Sequence, residues 1–159
     1  TPPGAYDPEV LLESADGKTL PLAFLEMGVP HAVTVVKDVD AVDVQTLGAF
    51  IRYHQRFSPK GTNANFLQIT GPDSLLIRTY ERGVEGETLA CGTGCMASAV
   101  VLALAGKVRP PVKLTTRGGE LLTVEFPVGD GVPREIYFEG VVRWVYNGEL
   151  KEEIYSAAE

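Results

Sequence analysis

Positive charge and cysteine are both scarce in this sequence of 159 residues. The 14 Lys and Arg residues are outnumbered by 21 Asp and Glu residues, which gives a formal net charge of −7. This balance argues against binding to nucleic acid, whose phosphates need clustered Lys and Arg, and against an anionic membrane surface. No apolar run approaches the roughly 20 residues that cross a bilayer. Two cysteines do not make a disulfide framework, so we expect a cytoplasmic location.

The length and composition predict one domain. Hydrophobic residues make up 45% of the chain and charged residues 22%, both ordinary for a globular protein. The first ten residues, TPPGAYDPEV, begin without Met and contain three prolines, which predicts a stiff and extended lead-in. Two interpretations of this start are open: a terminus from which Met was removed, or a piece of a longer protein.

Apolar periodicity predicts an α+β fold. Strands are predicted over 20–27, 32–36, 66–70, 74–80, 112–116, 120–126 and 135–146, with another over 150–155 after an Asn-Gly turn. A helix is predicted over 42–57, capped by Asp38 or Asp40, and residues 58–65 read as a polar loop. A second helix is predicted over 93–107 and has almost no polar face, so we expect it to be buried inside a mostly antiparallel or mixed, curved sheet.

Cys91 stands directly before the second predicted helix, within Ala-Cys-Gly-Thr-Gly (90–94). A free cysteine is often only a small buried hydrophobe. A helix N-terminus, however, favours an anion and can lower a thiol pKa. The backbone amides of Gly92, Thr93 and Gly94 could also hold a carboxylate or phosphate. Polar residues cluster just upstream, at Glu81, Arg82, Glu85, Glu87 and Thr88. These features favour base or nucleophile chemistry at Cys91.

The second cysteine and the two histidines are weaker candidates. Cys95 lies one turn further along the same helix, where a core thiol is the more common role and a disulfide to Cys91 would be strained. His54 falls in a polar helical segment, and His31 falls at a bend between two strands. Two Cys and two His could in number bind zinc, but C-x3-C inside one helix lacks the usual spacing, so we predict no metal.

Three stretches together resemble the C-terminal half of diaminopimelate epimerases. They are MGVPHAV (27–33), GTNANF (61–66) and YERGVEGETLACGTG (80–94), in the family's order and spacing. The resemblance covers nearly the whole chain. It implies a pseudo-symmetric protein of two domains, each a sheet around a central helix. Residues 1–159 would then be the single C-terminal domain, and the N-terminal partner domain is absent from this chain.

The resemblance also implies an activity, the cofactor-independent interconversion of LL- and meso-diaminopimelate in lysine biosynthesis. One cysteine from each domain faces the α-carbon, so that one thiolate removes the α-proton while the other thiol donates one. Cys91 matches the C-terminal cysteine of that pair. The start of its helix would also stabilise charge that develops on the substrate carboxylate.

Other site residues carry over from the resemblance position by position. His31 matches a histidine beside the reacting centre that helps to set protonation states, and Glu81 matches a catalytic-site contact to the α-amino group. The remaining matches are substrate-binding positions, namely the amides of Gly92 and Thr93 for the α-carboxylate, and Asn63 and Arg82 for the distal end.

Two departures from the family pattern keep other functions open. Val29 replaces an asparagine that contacts the distal end of the substrate, so recognition is altered or another group such as Asn65 compensates. Cys95 shares a helix with Cys91 and cannot face it across a substrate, so we expect this chain to be inactive alone. The alternatives are a carboxylate or amino-acid binding module, an epimerase or racemase domain of altered specificity, and a homodimer that pairs two copies of Cys91.

Overall fold

The protein forms one sheet with two helices, as seen in a computed structural model that describes residues 3–14, 17–129 and 131–149. The strands are β1 (Tyr6–Glu13), β2 (Thr19–Glu26), β3 (Pro30–Val35), β4 (Asn63–Gly71), β5 (Ser74–Glu81), β6 (Gly86–Thr88), β7 (Val112–Thr115), β8 (Leu121–Glu125) and β9 (Tyr137–Glu139). The helices are α1 (Val44–Tyr53) and α2 (Gly92–Leu104), and a single 3-10 turn follows α1 at Gln55–Phe57. The predicted α+β class is confirmed.

The sheet is mixed, with antiparallel pairs in the majority. Its strand order is β1-β2-β3-β4-β5-β7-β8-β9, and β6 pairs with the other end of β5. Only the β3·β4 and β5·β7 pairs are parallel in the described part of the chain. Each parallel pair is joined by a crossover that contains a helix, as parallel connections require: α1 lies between β3 and β4, and α2 between β5 and β7.

The sheet curves around α2. This helix contacts β2, β3 and β4 and also contacts β8, five strand spacings away from β2. Five spacings span about 24 Å in a flat sheet, whereas a helix with its side chains is only about 10 Å wide, so both contacts require a curved sheet. The predicted burial of the second helix is confirmed, because eight of its 13 residues are buried.

Alternation along the central strands separates the two faces of the sheet. On β4, Leu67 packs in the cluster around α2 while Phe66 packs in the cluster around α1. On β5, Ile77 faces α2 and Tyr80 faces α1. Because strand side chains alternate with period two, Asn65, Thr79 and Glu81 share the concave face with α2.

The helix α1 covers the opposite face of the sheet. Its buried residues Val44, Gly48 and Ile51 follow one helical stripe, and any side chain at Gly48 would overlap Tyr80. The predicted cap was wrong: Asp43 caps the helix, with Oδ1 accepting from the Thr46 amide at 3.0 Å. Asp38 instead accepts from the Asp40 amide in the preceding turn.

Several other boundaries differ from the sequence prediction. The lead-in is extended as expected but is a paired strand, β1, from Tyr6 onward. The predicted loop over 58–65 ends early, since β4 already begins at Asn63, and β6 was not predicted. Of the predicted strand 135–146 only Tyr137–Glu139 is a strand, and residues 140–149 have no regular structure. The predicted strand over 150–155 lies outside the described residues.

The helix α2 begins one residue before its predicted start and ends at Leu104, three residues before its predicted end. The helix stops where Gly106 adopts a positive φ of 68°, the conformation that glycine reaches without strain. The Gly106 and Lys107 amides close the end by donating to the Ala103 and Leu102 carbonyls. With 13 residues, α2 is too short to cross a bilayer, and no other helix of the described chain is long and apolar enough to do so.

Candidate active site

Cys91 occupies the N-cap position of α2, as the sequence predicts. Its φ and ψ of −135° and 105° are extended, and the first helical hydrogen bond runs from the Cys95 amide to its carbonyl. The sulfur lies 3.6 Å from Oγ1 of Thr93. Only 9% of the residue is exposed. Cys91 is therefore a nearly buried residue at the positive end of a buried helix.

A helix N-terminus can lower a thiol pKa, but for Cys91 the effect of burial is larger. Desolvation raises the pKa of Cys91 above its ordinary value. The Thr93 hydroxyl and the amides of Gly94 and Thr93 lower that pKa, while the charge of Glu81 raises it. The two amides are close enough to act on the charge, but neither forms a well-aligned hydrogen bond to the sulfur. Cys91 thus rests as a protonated thiol at neutral pH.

Cys95 is a core residue in the structure. It is fully buried within the cluster around α2. Desolvation, with a smaller effect of Cys91, raises the pKa of its thiol to about 12. Both cysteines are free. This agrees with the interpretation of Cys95 as a small hydrophobe.

His31 is fully buried on β3 and points to the start of α2. Its Nε2 lies 3.0 Å from Oγ1 of Thr93, which is itself next to the Cys91 sulfur. Desolvation, assisted by the charge of Arg82, lowers the pKa of His31 to about 4. The ring is therefore neutral at pH 7 and is linked to the thiol by one hydroxyl.

Asn65 and Thr79 extend this chain of contacts on the other side of His31. The Nδ2 of Asn65 lies 3.2 Å from Nδ1 of His31 and donates to the Ala32 carbonyl at 3.0 Å. Thr79, directly opposite on β5, donates to Oδ1 of Asn65 at 3.0 Å. Sequence reasoning named Asn65 only as a possible substitute for the ligand contact missing at Val29 and gave Thr79 no role, although a polar residue at an inward-facing position of an apolar strand is the available signal.

Glu81 and Arg82 bring one charge of each sign to the edge of the site. The Glu81 side chain makes no hydrogen bond or ion pair within the described residues, and its carboxylate acts on Cys91 through its charge. Nη1 of Arg82 donates to the Lys60 carbonyl at 3.3 Å, and Arg82 forms no salt bridge among the described groups. An unpaired carboxylate and an unpaired guanidinium suit a ligand that carries both charges.

Asn63 links two backbone segments at the edge of the site. Its Nδ2 donates to the Pro30 carbonyl at 3.0 Å, and its Oδ1 accepts from the Arg82 amide at 2.8 Å. The residue is 3% exposed. The hydrogen bonds of Asn63 position the start of β3 and the end of β5. Its predicted direct contact to a ligand stays a prediction.

A groove of about 710 Å³ opens beside Thr93 and contains Val29. Its other walls include Met27 and Met96 from the core and the segment Arg134–Tyr137. Phe138 lies over the helix start, since a side chain at Gly92 would meet its ring at 3.4 Å. The sequence-predicted residues Cys91, His31, Thr93, Glu81 and Arg82 are thus brought to one end of α2, and Val29 lines the neighbouring groove.

The described residues hold no group of three or more His, Cys, Asp or Glu side chains that could bind a metal ion. The site around Cys91 contains a thiol, a hydroxyl, an imidazole and backbone amides. Such groups hold and move protons.

The fold is similar to that of a solved amino-acid epimerase. The solved structure of a hydroxyproline epimerase from Agrobacterium vitis, with bound trans-4-hydroxy-L-proline, superposes with a TM-score of 0.56 at 16% identity. The match covers 88% of this chain and 51% of that one. It establishes the architecture of a curved sheet around a central helix.

Sequence comparison gives the particular family. A family model for diaminopimelate epimerase matches residues 23–145. The diaminopimelate epimerase of Aquifex aeolicus is 46% identical over 155 residues, which are 97% of this chain and 54% of that protein. The enzyme of Chlorobaculum tepidum is 48% identical over 128 residues, 80% of this chain and 49% of that protein. The chain belongs to the diaminopimelate epimerase family, and it spans about half the length of these relatives.

Proposed function

We propose that this chain provides one half of the active site of a cofactor-independent epimerase that interconverts LL- and meso-diaminopimelate. The observation that carries the proposal is the position of Cys91, a thiol at the N-terminus of a buried helix, linked through Thr93 to a neutral histidine. Membership of the diaminopimelate epimerase family supports the substrate. The location we propose, from the free cysteines, is the cytoplasm.

The charges of the site suit the two ends of an α-amino acid. The amides of Gly92 and Thr93 at the helix start would hold the α-carboxylate, and the unpaired Glu81 would take the α-ammonium group. The Arg82 guanidinium, together with Asn63, would face the distal end of the substrate. The positions of these side chains allow all of the proposed roles at the same time.

The reaction needs two groups that exchange protons with the α-carbon. A second thiol, as thiolate, removes the α-proton from one face and leaves the electron pair on carbon, stabilised by the bound carboxylate. Cys91 then donates its proton to the opposite face and becomes the thiolate. The raised pKa of Cys91 agrees with this starting state, because a buried thiol at neutral pH holds the proton that must be delivered.

The second thiol comes from the N-terminal half that these relatives have and this chain does not span. Cys95 cannot supply it, because it lies one turn along the same helix and is fully buried. We therefore propose that the chain acts only together with that half. The proposed partners of the chain are then the N-terminal half and the substrate.

The test is proton exchange after reconstitution. The chain is mixed with, or fused to, the N-terminal half of the Aquifex aeolicus enzyme in deuterated water, and deuterium at the α-carbon of diaminopimelate is followed by mass spectrometry. We expect exchange in the mixture and none with the chain alone. Cys91→Ala is expected to abolish exchange, while Cys95→Ala, the matched control, retains it.

Three outcomes contradict parts of the proposal. An absence of exchange in a folded fusion would exclude the epimerase. Full exchange in Cys91→Ala would exclude the role of that thiol. Exchange by the chain alone, lost in Cys91→Ala, would instead show a homodimer in which two copies of Cys91 face one substrate.

Val29 supports a second candidate, an epimerase or binding module for a different amino acid. Its side chain cannot hydrogen-bond, and it lines the groove next to Thr93. Calorimetry with diaminopimelate and with amino acids that lack the distal amino-carboxylate distinguishes the candidates. Tighter binding of the latter, reversed by Val29→Asn, would favour altered specificity.

A further inference from the structure

We propose that Asn65 is a positioning residue of this site: it holds the proton of the His31 ring on Nε2 and thereby directs the hydroxyl hydrogen of Thr93 toward the Cys91 sulfur. The significance of this role for proton transfer rests on the proposed function. The arrangement itself rests on hydrogen bonds whose donors can be assigned.

The orientation of the Asn65 amide is fixed by its neighbours. The Ala32 carbonyl can only accept, so the atom 3.0 Å from it is the NH2 group of Asn65. The amide oxygen on the other side accepts from the Thr79 hydroxyl at 3.0 Å. Turning the amide over would place its oxygen against the Ala32 oxygen, which excludes the alternative orientation in this buried setting.

This orientation fixes the tautomer of His31. One hydrogen of the Asn65 NH2 group goes to Ala32, and the other points at Nδ1 of His31, 3.2 Å away. Nδ1 must therefore accept, and in a neutral imidazole the proton is then on Nε2. Burial keeps the ring neutral at pH 7.

The tautomer in turn fixes the direction of the Thr93 hydroxyl. With its proton on Nε2, His31 donates to Oγ1 of Thr93 at 3.0 Å. The hydroxyl then has its own hydrogen free for the Cys91 sulfur at 3.6 Å. In the other tautomer Thr93 would donate to His31, and the sulfur would lose this donor.

The helix start is fitted closely to Asn65. A Cβ added at Gly94 would lie 2.5 Å from Oδ1 of Asn65 and 3.3 Å from the Cys91 sulfur. Asn65 itself is fully buried. The amide thus lies between the sheet and the turn that carries the thiol. From there it can position both His31 and Thr93.

The first test reads the tautomer directly by long-range 1H–15N NMR on protein labelled at histidine. The chain has two histidines, so His54→Gln assigns the signals. We expect protonated Nε2 and unprotonated Nδ1 for His31. Asn65→Asp offers a carboxylate in place of the NH2 group, and Nδ1 is expected to gain a proton. The control Thr34→Val loses a different buried hydroxyl bond on the same strand and should change neither nitrogen. A proton on Nδ1 in the unmodified protein would overturn the proposal.

The second test uses the thiol pKa of Cys91, measured from the pH dependence of alkylation in a Cys95→Ala background. Asn65→Leu should raise that pKa by roughly half a unit or more, the size of one modest hydrogen bond. The same substitution in a Thr93→Val background should have no further effect, whereas a Thr93→Ser background should retain it. A shift that is equal in all three backgrounds would reveal a purely structural role and would overturn the proposal.

Neither test needs substrate or the N-terminal half, so the positioning role and the proposed function can fail separately. Where the reconstituted protein exchanges the α-proton, Asn65→Leu should lower kcat more than it changes KM, because the ligand-facing amides remain. An unchanged kcat with a normal fold would show that the positioning does not serve the reaction.

Discussion

Nε2 of His31 lies 3.0 Å from Oγ1 of Thr93, although 62 positions separate the two residues in the chain. His31 belongs to the middle of the sheet and Thr93 to the first turn of α2. The same hydroxyl lies 3.6 Å from the sulfur of Cys91. This contact joins the concave face of the sheet to the helix start, and the protonation of the thiol depends on both.

Removal of the Thr93 hydroxyl should make Cys91 a weaker acid. The hydroxyl lowers the pKa of the buried thiol, so Thr93→Val should raise that pKa by roughly half a unit or more. Thr93→Ser keeps the hydroxyl and should leave it near the parent value. Alkylation rates against pH give the measurement, and an unchanged profile in Thr93→Val would show that the hydroxyl does not bond to the sulfur.

The two cysteines should react very differently in the native protein. Cys95 is fully buried and its pKa is raised to about 12, whereas Cys91 retains some exposure. Iodoacetamide at pH 8 is expected to modify Cys91 alone, visible as a single mass increment that peptide mapping places on residue 91. Unfolding in urea should release both thiols. A double adduct before unfolding would contradict the buried position of Cys95.

His31 should make the protein less stable in mild acid. In the unfolded chain a histidine binds a proton below about pH 6.5, while in the fold the pKa of His31 is about 4. Between these values the unfolded state binds more protons, so stability falls as the pH falls from 6.5 to 4 and this contribution levels off below. The difference of 2.5 pKa units corresponds to about 3 kcal/mol.

Urea unfolding from pH 7 to pH 4 measures this contribution. His31→Gln should remove that part of the pH dependence, and Thr34→Val should lose stability but keep the slope of the parent protein. An NMR titration of the His31 ring gives the pKa itself. A midpoint near 6.5 would contradict the burial of the ring.

The central part of this fold can be predicted from the sequence because the sequence patterns are strong there. The segment 93–105 lacks a polar face, which predicts a buried helix, and a buried helix beside a series of strands predicts a sheet around it. The position of Cys91 at the helix start follows from the glycines on its C-terminal side. The protonation state of the thiol does not follow from the sequence. The size of the desolvation effect depends on atoms that only the fold brings near to the sulfur.

Other parts were missed where local and tertiary signals disagree. Residues Asp7, Pro8 and Glu9 show no apolar alternation, and β1 accommodates them by a register shift between Asp7 and Val10 at the sheet edge. The start of β4 reads as a loop because Asn63 and Asn65 are turn-forming residues. Each is buried only because distant partners satisfy its amide group.

Asn63 should matter for stability as well as for any ligand. It bonds two backbone groups, the Pro30 carbonyl and the Arg82 amide. Asn63→Leu leaves both without this partner, which we expect to cost roughly 2–4 kcal/mol of unfolding free energy. Asn63→Asp can still accept from Arg82 but places a carboxylate oxygen against the Pro30 carbonyl, so it should also be destabilised. Equal stability of Asn63→Leu and the parent protein in urea would contradict the role of this side chain as a link between β3 and β5.

Gly94→Ala should damage the site while the rest of the fold persists. The added Cβ would lie 2.5 Å from Oδ1 of Asn65, and that amide is held from its other side by Ala32 and Thr79, so the helix start must move away from the sheet. We expect a stability loss of roughly 1–3 kcal/mol, as for other overpacked positions, and a higher pKa for Cys91 because the Thr93 hydroxyl is displaced. Gly129→Ala is the matched control, since nothing lies within 4 Å of its added Cβ. Urea unfolding and alkylation against pH measure the two effects, and a thiol pKa that stays at the parent value would show that the fit between Gly94 and Asn65 does not govern the thiol.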